Sequence, residues 1–213
     1  MNKLKHSQWG RSMIEMLGVL AIIGILSIGG IAGYTKAMEK IKSNGQRRMI
    51  ADLLNTAVRL KANLNAQPTL DLIDLTPVLV ALGEAPDGWN YKNGYLQNDD
   101  GISAQLVYGL KTWQDDKGED RSDFVYVLRL YFNQDSDILA VSRVELCKDV
   151  INAIKPSYSE INNITFWQKD TKNPHLYSGE SLKSTTPIEI QQKCRFTITN
   201  QGTALFAISL KPY

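Results

Sequence analysis

Proline is absent before Pro68, and only seven occur in the 213 residues. Nothing in the first third of the chain therefore interrupts a helix by a locked φ or a missing N–H. Cysteine is almost absent: Cys147 and Cys194 are too few for a cysteine-rich zinc site. Histidine is equally sparse, with His6 and His175 leaving little for metal ligation or acid–base work. Net charge is small as well, since 24 basic residues stand against 22 acidic ones. Such a balance gives no indication of a protein held on nucleic acid by counterion release. The sequence contains no GxSxG, GxxxxGK[ST], HExxH or CxxC. The expectation is accordingly no enzyme, no catalytic residues, no cofactor and no resident metal.

The hydrophobic residues that are present are unevenly placed. Met13–Tyr34 reads MIEMLGVLAIIGILSIGGIAGY, with Glu15 as its one charge. At 1.5 Å per residue the run is about 33 Å long, enough to cross a bilayer's hydrocarbon core. Lys3, Lys5 and Arg11 precede it, as in the basic region of an export signal. Two ordinary readings follow: a secretory signal cleaved near Gly30 and Ala32, or an uncleaved anchor. The basic residues do not decide orientation, because Lys36, Lys40, Lys42, Arg47 and Arg48 follow the run.

Glu15 fits neither ordinary reading. A carboxylate inside a membrane span costs about 2.5–3.5 kcal/mol and needs a partner. Gly10 lies five residues upstream, so cleavage between Gly10 and Arg11 would place Glu15 fifth in the mature chain. A freed α-amino group would then stand within helical reach, on the same chain or on a neighbour. Two charges that are each costly in lipid become tolerable as a pair.

The segment Gly10, Arg11, Ser12, Met13, Ile14, Glu15 and the apolar run behind it resembles the type IV pilin family, including the pseudopilins of type II secretion. The resemblance is sharp over roughly the first 35 residues and architectural beyond them. It implies a leader of residues 1–10, removed after Gly10 by a prepilin peptidase that also methylates the new N-terminus. It implies that Glu15 meets the terminal amine of an adjacent subunit during assembly. The implied partners are copies of the chain or other pilin-like subunits, the membrane assembly machinery and the lipid bilayer. The implied location is the bacterial inner membrane, crossed once with the head outside the cytoplasm, and then a filament. Arg11 stands where the family usually has phenylalanine, and Ala32 where it often has a helix-kinking proline. Gly29 and Gly33 form a GxxxG spacing that permits close helix packing, although small residues are also ordinary in membrane helices.

Residues 11–66 are expected to form one long helix, with residues 13–34 as its transmembrane part. Met49, Leu53, Ala57, Leu60 and Leu64 share a face that Ile50, Leu54 and Val58 widen. Gly45 is the expected bend and Pro68 the end. Residues 67–213 are expected to be an α+β head with a mostly antiparallel sheet, pilin-like in outline. Thr76-Pro77 reads as a helix start, Gly83 as its stop and Pro86-Asp87-Gly88 as a turn. Ile102–Trp113 and Phe124–Phe132 read as a long hairpin. Ser142 with Glu145 has capping-box spacing, ahead of a helix with Val144, Cys147, Ile151 and Ile154 on one face. Strands are expected at Ile188–Ile190, Cys194–Ile198 and Ala204–Leu210, with a turn at Asn200-Gln201-Gly202.

If the head is exported, the two cysteines favour one disulfide tying the Cys147 helix to the terminal strands; two buried thiols are the alternative. Closing residues 148–193 is worth about 4 kcal/mol by chain entropy. By the pilin resemblance, that enclosed region is where partner contacts belong. The acidic clusters Asn98–Gly101 and Asp115–Asp120 have oxygen ligands for calcium but lack EF-hand spacing, and turn composition explains both. Trp89, Tyr91 and Tyr95 suggest an aromatic loop that binds glycan or protein, or packs on the head. Asn163-Ile164-Thr165 is a sequon by pattern. A membrane-anchored or secreted extracytoplasmic binding module, with the N-terminus only a targeting signal, is the competing function.

Overall fold

The computed structural model describes residues 9–64, 70–114, 118–132, 140–168, 175–197 and 204–211. At residues 9–12, 113–114, 140–143, 167–168, 175–176, 195–197 and 204 it describes the backbone alone. Two compact units divide at Lys42 and Ser43. A single helix, α1 (Trp9–Asn63), begins in the first unit and ends in the second, continuing through Gly45 without a break. Pro68 lies outside the described residues.

The second unit is a mixed α+β structure around one antiparallel sheet. After α1 come β1 (Ile73–Asp74), α2 (Thr76–Ala81), β2 (Asn90–Lys92), β3 (Tyr95–Gln97), β4 (Ile102–Gln114) and β5 (Asp120–Phe132). Then follow α3 (Ala140–Ile154), a 3-10 turn at Lys155–Glu160, β6 (Ile161–Gln168) and β7 (His175–Ser178). The chain closes with α4 (Gly179–Ser184), α5 (Pro187–Thr197) and β8 (Ala204–Leu210). The strand order is β2-β3-β4-β5-β8-β6-β7, with β1 paired to β4. The long hairpin β4–β5 runs in continuous register from Ile102 opposite Phe132 to Gln114 opposite Asp120.

The core forms where the helical stripe of α1 meets the alternating apolar face of the sheet. Ile50, Leu53, Leu54, Ala57 and Leu60 are buried with Ala104, Leu106, Leu128, Leu130, Phe206 and Ile208. Each fully buried leucine or isoleucine there contributes about 1.5–3 kcal/mol. Val58 and Leu64 pack at the margin of that core. Polar atoms fix the register of the contact: the Tyr126 hydroxyl donates to the Leu64 carbonyl at 2.9 Å. The Trp89 indole N–H donates to the Met49 carbonyl at 3.4 Å. Gly109 lets the neighbouring segment lie directly against β4, since a Cβ there would stand 2.5 Å from the Asp71 carbonyl oxygen.

Several local expectations need correction. Ile188–Ile190 and Cys194–Thr197 are helical, within α5, not strands. The cause is a capping box at Thr186-Pro187-Ile188-Glu189. The Glu189 carboxylate accepts from the Thr186 N–H at 2.7 Å, and Thr186 Oγ1 accepts from the Glu189 N–H at 3.3 Å. Ser142 lies inside α3, two residues after Ala140, so it is not the cap of that helix. Thr76 is likewise the first helical residue of α2, not the one ahead of it. Asp74 Oδ1 accepts the Thr76 N–H at 2.9 Å, and Thr76 Oγ1 accepts from the Leu106 N–H at 2.9 Å. The aromatic loop is a hairpin, β2–β3, turned by Asn93 and Gly94 at φ 52° and 84°. Ile198 and the turn expected at Asn200-Gln201-Gly202 lie outside the described residues.

Candidate functional site

In the first unit, Gly10, Arg11 and Glu15 all lie in the opening turns of α1. Of Arg11 the backbone alone is described. Glu15 is exposed and forms no ion pair within the chain among the described residues. The apolar residues around it are equally uncovered: Ile14 is 73% exposed, Ile22 60% and Ile28 73%. The best apolar window of this helix has a mean hydropathy of 2.3, and none of it is buried. It is one helix, near the N-terminus, long and apolar enough to cross a membrane.

One hydroxyl within the run and one just past it are satisfied by the helix itself. Ser27 donates to the Ile23 carbonyl at 2.7 Å, and Thr35 donates to the Ile31 carbonyl at 3.0 Å. Such bonds to the preceding turn remove the polar penalty that a free hydroxyl carries in lipid. Glu15 has no such partner among the described residues. Gly29 and Gly33 lie one helical turn apart, and a Cβ at either meets nothing within 4 Å. The glycine strip is thus open to a close neighbour.

In the second unit, Cys147 and Cys194 are joined in a disulfide with their Cα atoms 5.8 Å apart. It ties α3 to α5, two helices, because the second cysteine lies in the helix begun by Thr186. The expectation of a tie to terminal strands fails for that reason. Both cysteines are buried beside Val150, Ile151 and Ile190 in the core. Two residues beyond Cys147, the buried carboxylate of Asp149 holds the part of α1 that belongs to this unit. Asp149 Oδ1 accepts from Ser43 Oγ and from Arg47 Nε, both at 2.7 Å. Sequence reasoning had Arg47 as part of a basic stretch and gave Asp149 no role. Asp149 lies on the side of α3 away from the face shared by Val144, Cys147, Ile151 and Ile154, so no local pattern marks it.

The segment enclosed by the disulfide carries a shallow depression of about 350 Å³ lined by Asn152, Lys155, Pro156, Tyr158 and Lys183. The Lys183 ammonium stands 5.2 Å from the centre of the Tyr158 ring, a cation–π distance. Lys155 Nζ donates to the Thr185 carbonyl. Nearby, Lys193 lies 3.9 Å over the Tyr177 ring. Burial, with Glu189 as the lesser cause, pushes the Tyr177 hydroxyl up to about 12.

The remaining candidates resolve into structure. Asn98 closes a turn, with its Oδ1 accepting the Ile102 N–H at 2.8 Å and the Gly101 N–H donating to its carbonyl at 3.2 Å. No group of three metal-ligating side chains occurs among the described residues. Of the second acidic cluster, residues 115–117 lie outside them. His175 opens β7 opposite Phe166. The sequon is closed to an oligosaccharide, because Asn163 is 2% exposed on β6. Trp89 is buried, while Tyr95 stacks edge-on with Tyr131 at 5.4 Å.

Fold and site together define a class: an α+β protein with one long, apolar N-terminal helix, an antiparallel sheet and a disulfide, compatible with a pilin-like fold. Compared with known protein families, curated proteins and solved structures, the chain matches none.

Proposed function

We propose that this chain is a pilin-like structural subunit, cleaved after Gly10 and assembled through its N-terminal helix into a type IV pilus or a secretion pseudopilus. The observation that carries the reading is Glu15: a carboxylate with no partner among the described residues, in an apolar helical run that is nowhere buried, five residues after a glycine. An apolar surface of that extent needs a nonaqueous partner, first a bilayer and then the helices of other subunits. A lone carboxylate in such surroundings needs a cation, and the amine freed at Arg11 of a neighbour supplies one. Gly29 and Gly33 would sit at a close helix contact.

The disulfide supports placing the head outside the cytoplasm, because cytosolic thiols are kept reduced. The location that follows is the inner membrane of a bacterium, spanned once, and afterwards a periplasmic or surface filament. The role is mechanical, and the partners are other subunits, a prepilin peptidase, the assembly machinery and lipid. The depression around Tyr158 and Lys183, inside the disulfide-bounded segment, is the place for contacts made by the head.

Substituting Glu15→Ala tests the assembly role. The variant should be processed and membrane-inserted as before, yet be depleted at least tenfold from sheared filaments. Normal incorporation would remove the role given to Glu15. Recovery of a soluble form cut near Ala32 would instead favour an exported binding module.

A further inference from the structure

The second face of the sheet holds a lysine that the function above does not use. Lys111 begins on β4, and its Nζ reaches residues of β8 and β6, although β5 stands next to β4 in the sheet. It donates to Ser209 Oγ at 2.6 Å, to Asn163 Oδ1 at 3.3 Å and to Thr165 Oγ1 at 3.5 Å. Ser209 is 0% exposed, Asn163 2% and Thr165 3%. Val107, Val125, Val127 and Ala207 form an apolar cluster on this face. Among the described residues no carboxylate pairs with the Lys111 amine. Burial, and secondarily the Arg129 guanidinium, lowers that amine to about 8, so about a tenth of it is neutral and nucleophilic at pH 7. The amide nitrogen of Asn163 is buried with no hydrogen-bond partner among the described residues. A buried donor left idle costs about 1–3 kcal/mol.

We propose that Lys111 and Asn163 condense into an intramolecular isopeptide bond that ties β4 to β6. The neutral amine adds its lone pair to Cγ of Asn163, the Cγ–Nδ2 bond breaks, and Nδ2 departs as ammonia. The departing nitrogen takes the proton lost by Nζ. Counted from the protonated lysine, an ammonium and a carboxamide give a secondary amide and an ammonium ion. The step needs no oxidant, reductant or external co-reactant. Its physical basis is confinement: Nζ is held 3.3 Å from the Asn163 carboxamide oxygen, and such fixed placement raises the effective concentration of the pair. Ser209, Asn163 and Thr165 are buried, which limits competing water at the carboxamide. The product also loses the idle Nδ2 donor.

Mass spectrometry of the purified full-length chain tests this. Relative to the mass calculated for the same reduced, processed chain, the protein should be lighter by about 17 Da, the mass of ammonia. Its tryptic map should lack cleavage after Lys111 and contain one branched species joining the Lys111 and Asn163 peptides. Lys111→Arg should restore the full mass, and Asn163→Asp should replace the ammonia loss by a water loss of about 18 Da. Separate, unmodified Lys111 and Asn163 peptides from the folded wild-type chain would overturn the proposal, whatever the variants do.

Discussion

Asp149 shows how much a single side chain can organise. Its carboxylate is 3% exposed and holds both Ser43 and Arg47 of α1. A buried carboxylate is tolerable only when such donors compensate its lost hydration. Asp149→Ala should therefore destabilise the chain by about 1–3 kcal/mol in chemical unfolding of the detergent-solubilised protein. Asp149→Asn, which keeps an acceptor oxygen, should cost less. Equal effects from the two substitutions would mean that packing, and not the hydrogen bonds, sets the cost. The role of Asp149 was not legible from sequence, because its partners lie 106 and 102 residues away. Glu15 was legible because its oddity is local: one charge in an apolar run.

Among the elements, α1 was readable and α5 was not, for one physical reason. The stripe of α1 repeats over several turns, so periodicity alone identifies its buried face. In α5 the inward residues are Ile190 and Cys194, one helical turn apart, with Ile188 69% exposed. That short apolar pattern reads equally well as a strand. The start signal settles it, and the Thr186–Glu189 box makes a pH prediction. Hydrogen bonds from the Thr186 N–H and hydroxyl lower the Glu189 carboxyl below its ordinary 4.5. A carboxyl lowered on folding contributes stability at pH above the unfolded value and loses it as pH falls through the folded one. The contribution of α5 should thus decline only below about pH 4.5, and Glu189→Gln should remove that part of the acid dependence in thermal unfolding scans. An unchanged acid limb would show the box to be irrelevant to stability.

The disulfide links this element to α3. Replacing both cysteines by alanine should cost about 2–5 kcal/mol, since the unfolded chain regains the freedom of the enclosed loop. Urea unfolding of the oxidised wild type against the double variant measures it. A difference below about 1 kcal/mol would mean that the helices hold together without the covalent tie.

On the scale of the whole molecule, the near-zero charge belongs to the assembly argument. Lys3 and Lys5 are in the proposed leader, so removing them leaves 22 basic residues against 22 acidic. The mature chain is formally neutral and brings no large net repulsion to close packing with its own copies. Its two units divide the work accordingly: one offers uncovered apolar surface, the other has its own core. The fold class and this division follow from composition and periodicity, whereas the order of the strands depends on long-range pairing that no local pattern encodes.

The central claim is that the chain is processed between Gly10 and Arg11. N-terminal sequencing, with intact mass, of the protein recovered from bacterial membranes tests it directly. The account predicts a mature chain whose first residue is Arg11, with or without one added methyl group. A chain that starts at Met1, or one cut near Ala32, would contradict it.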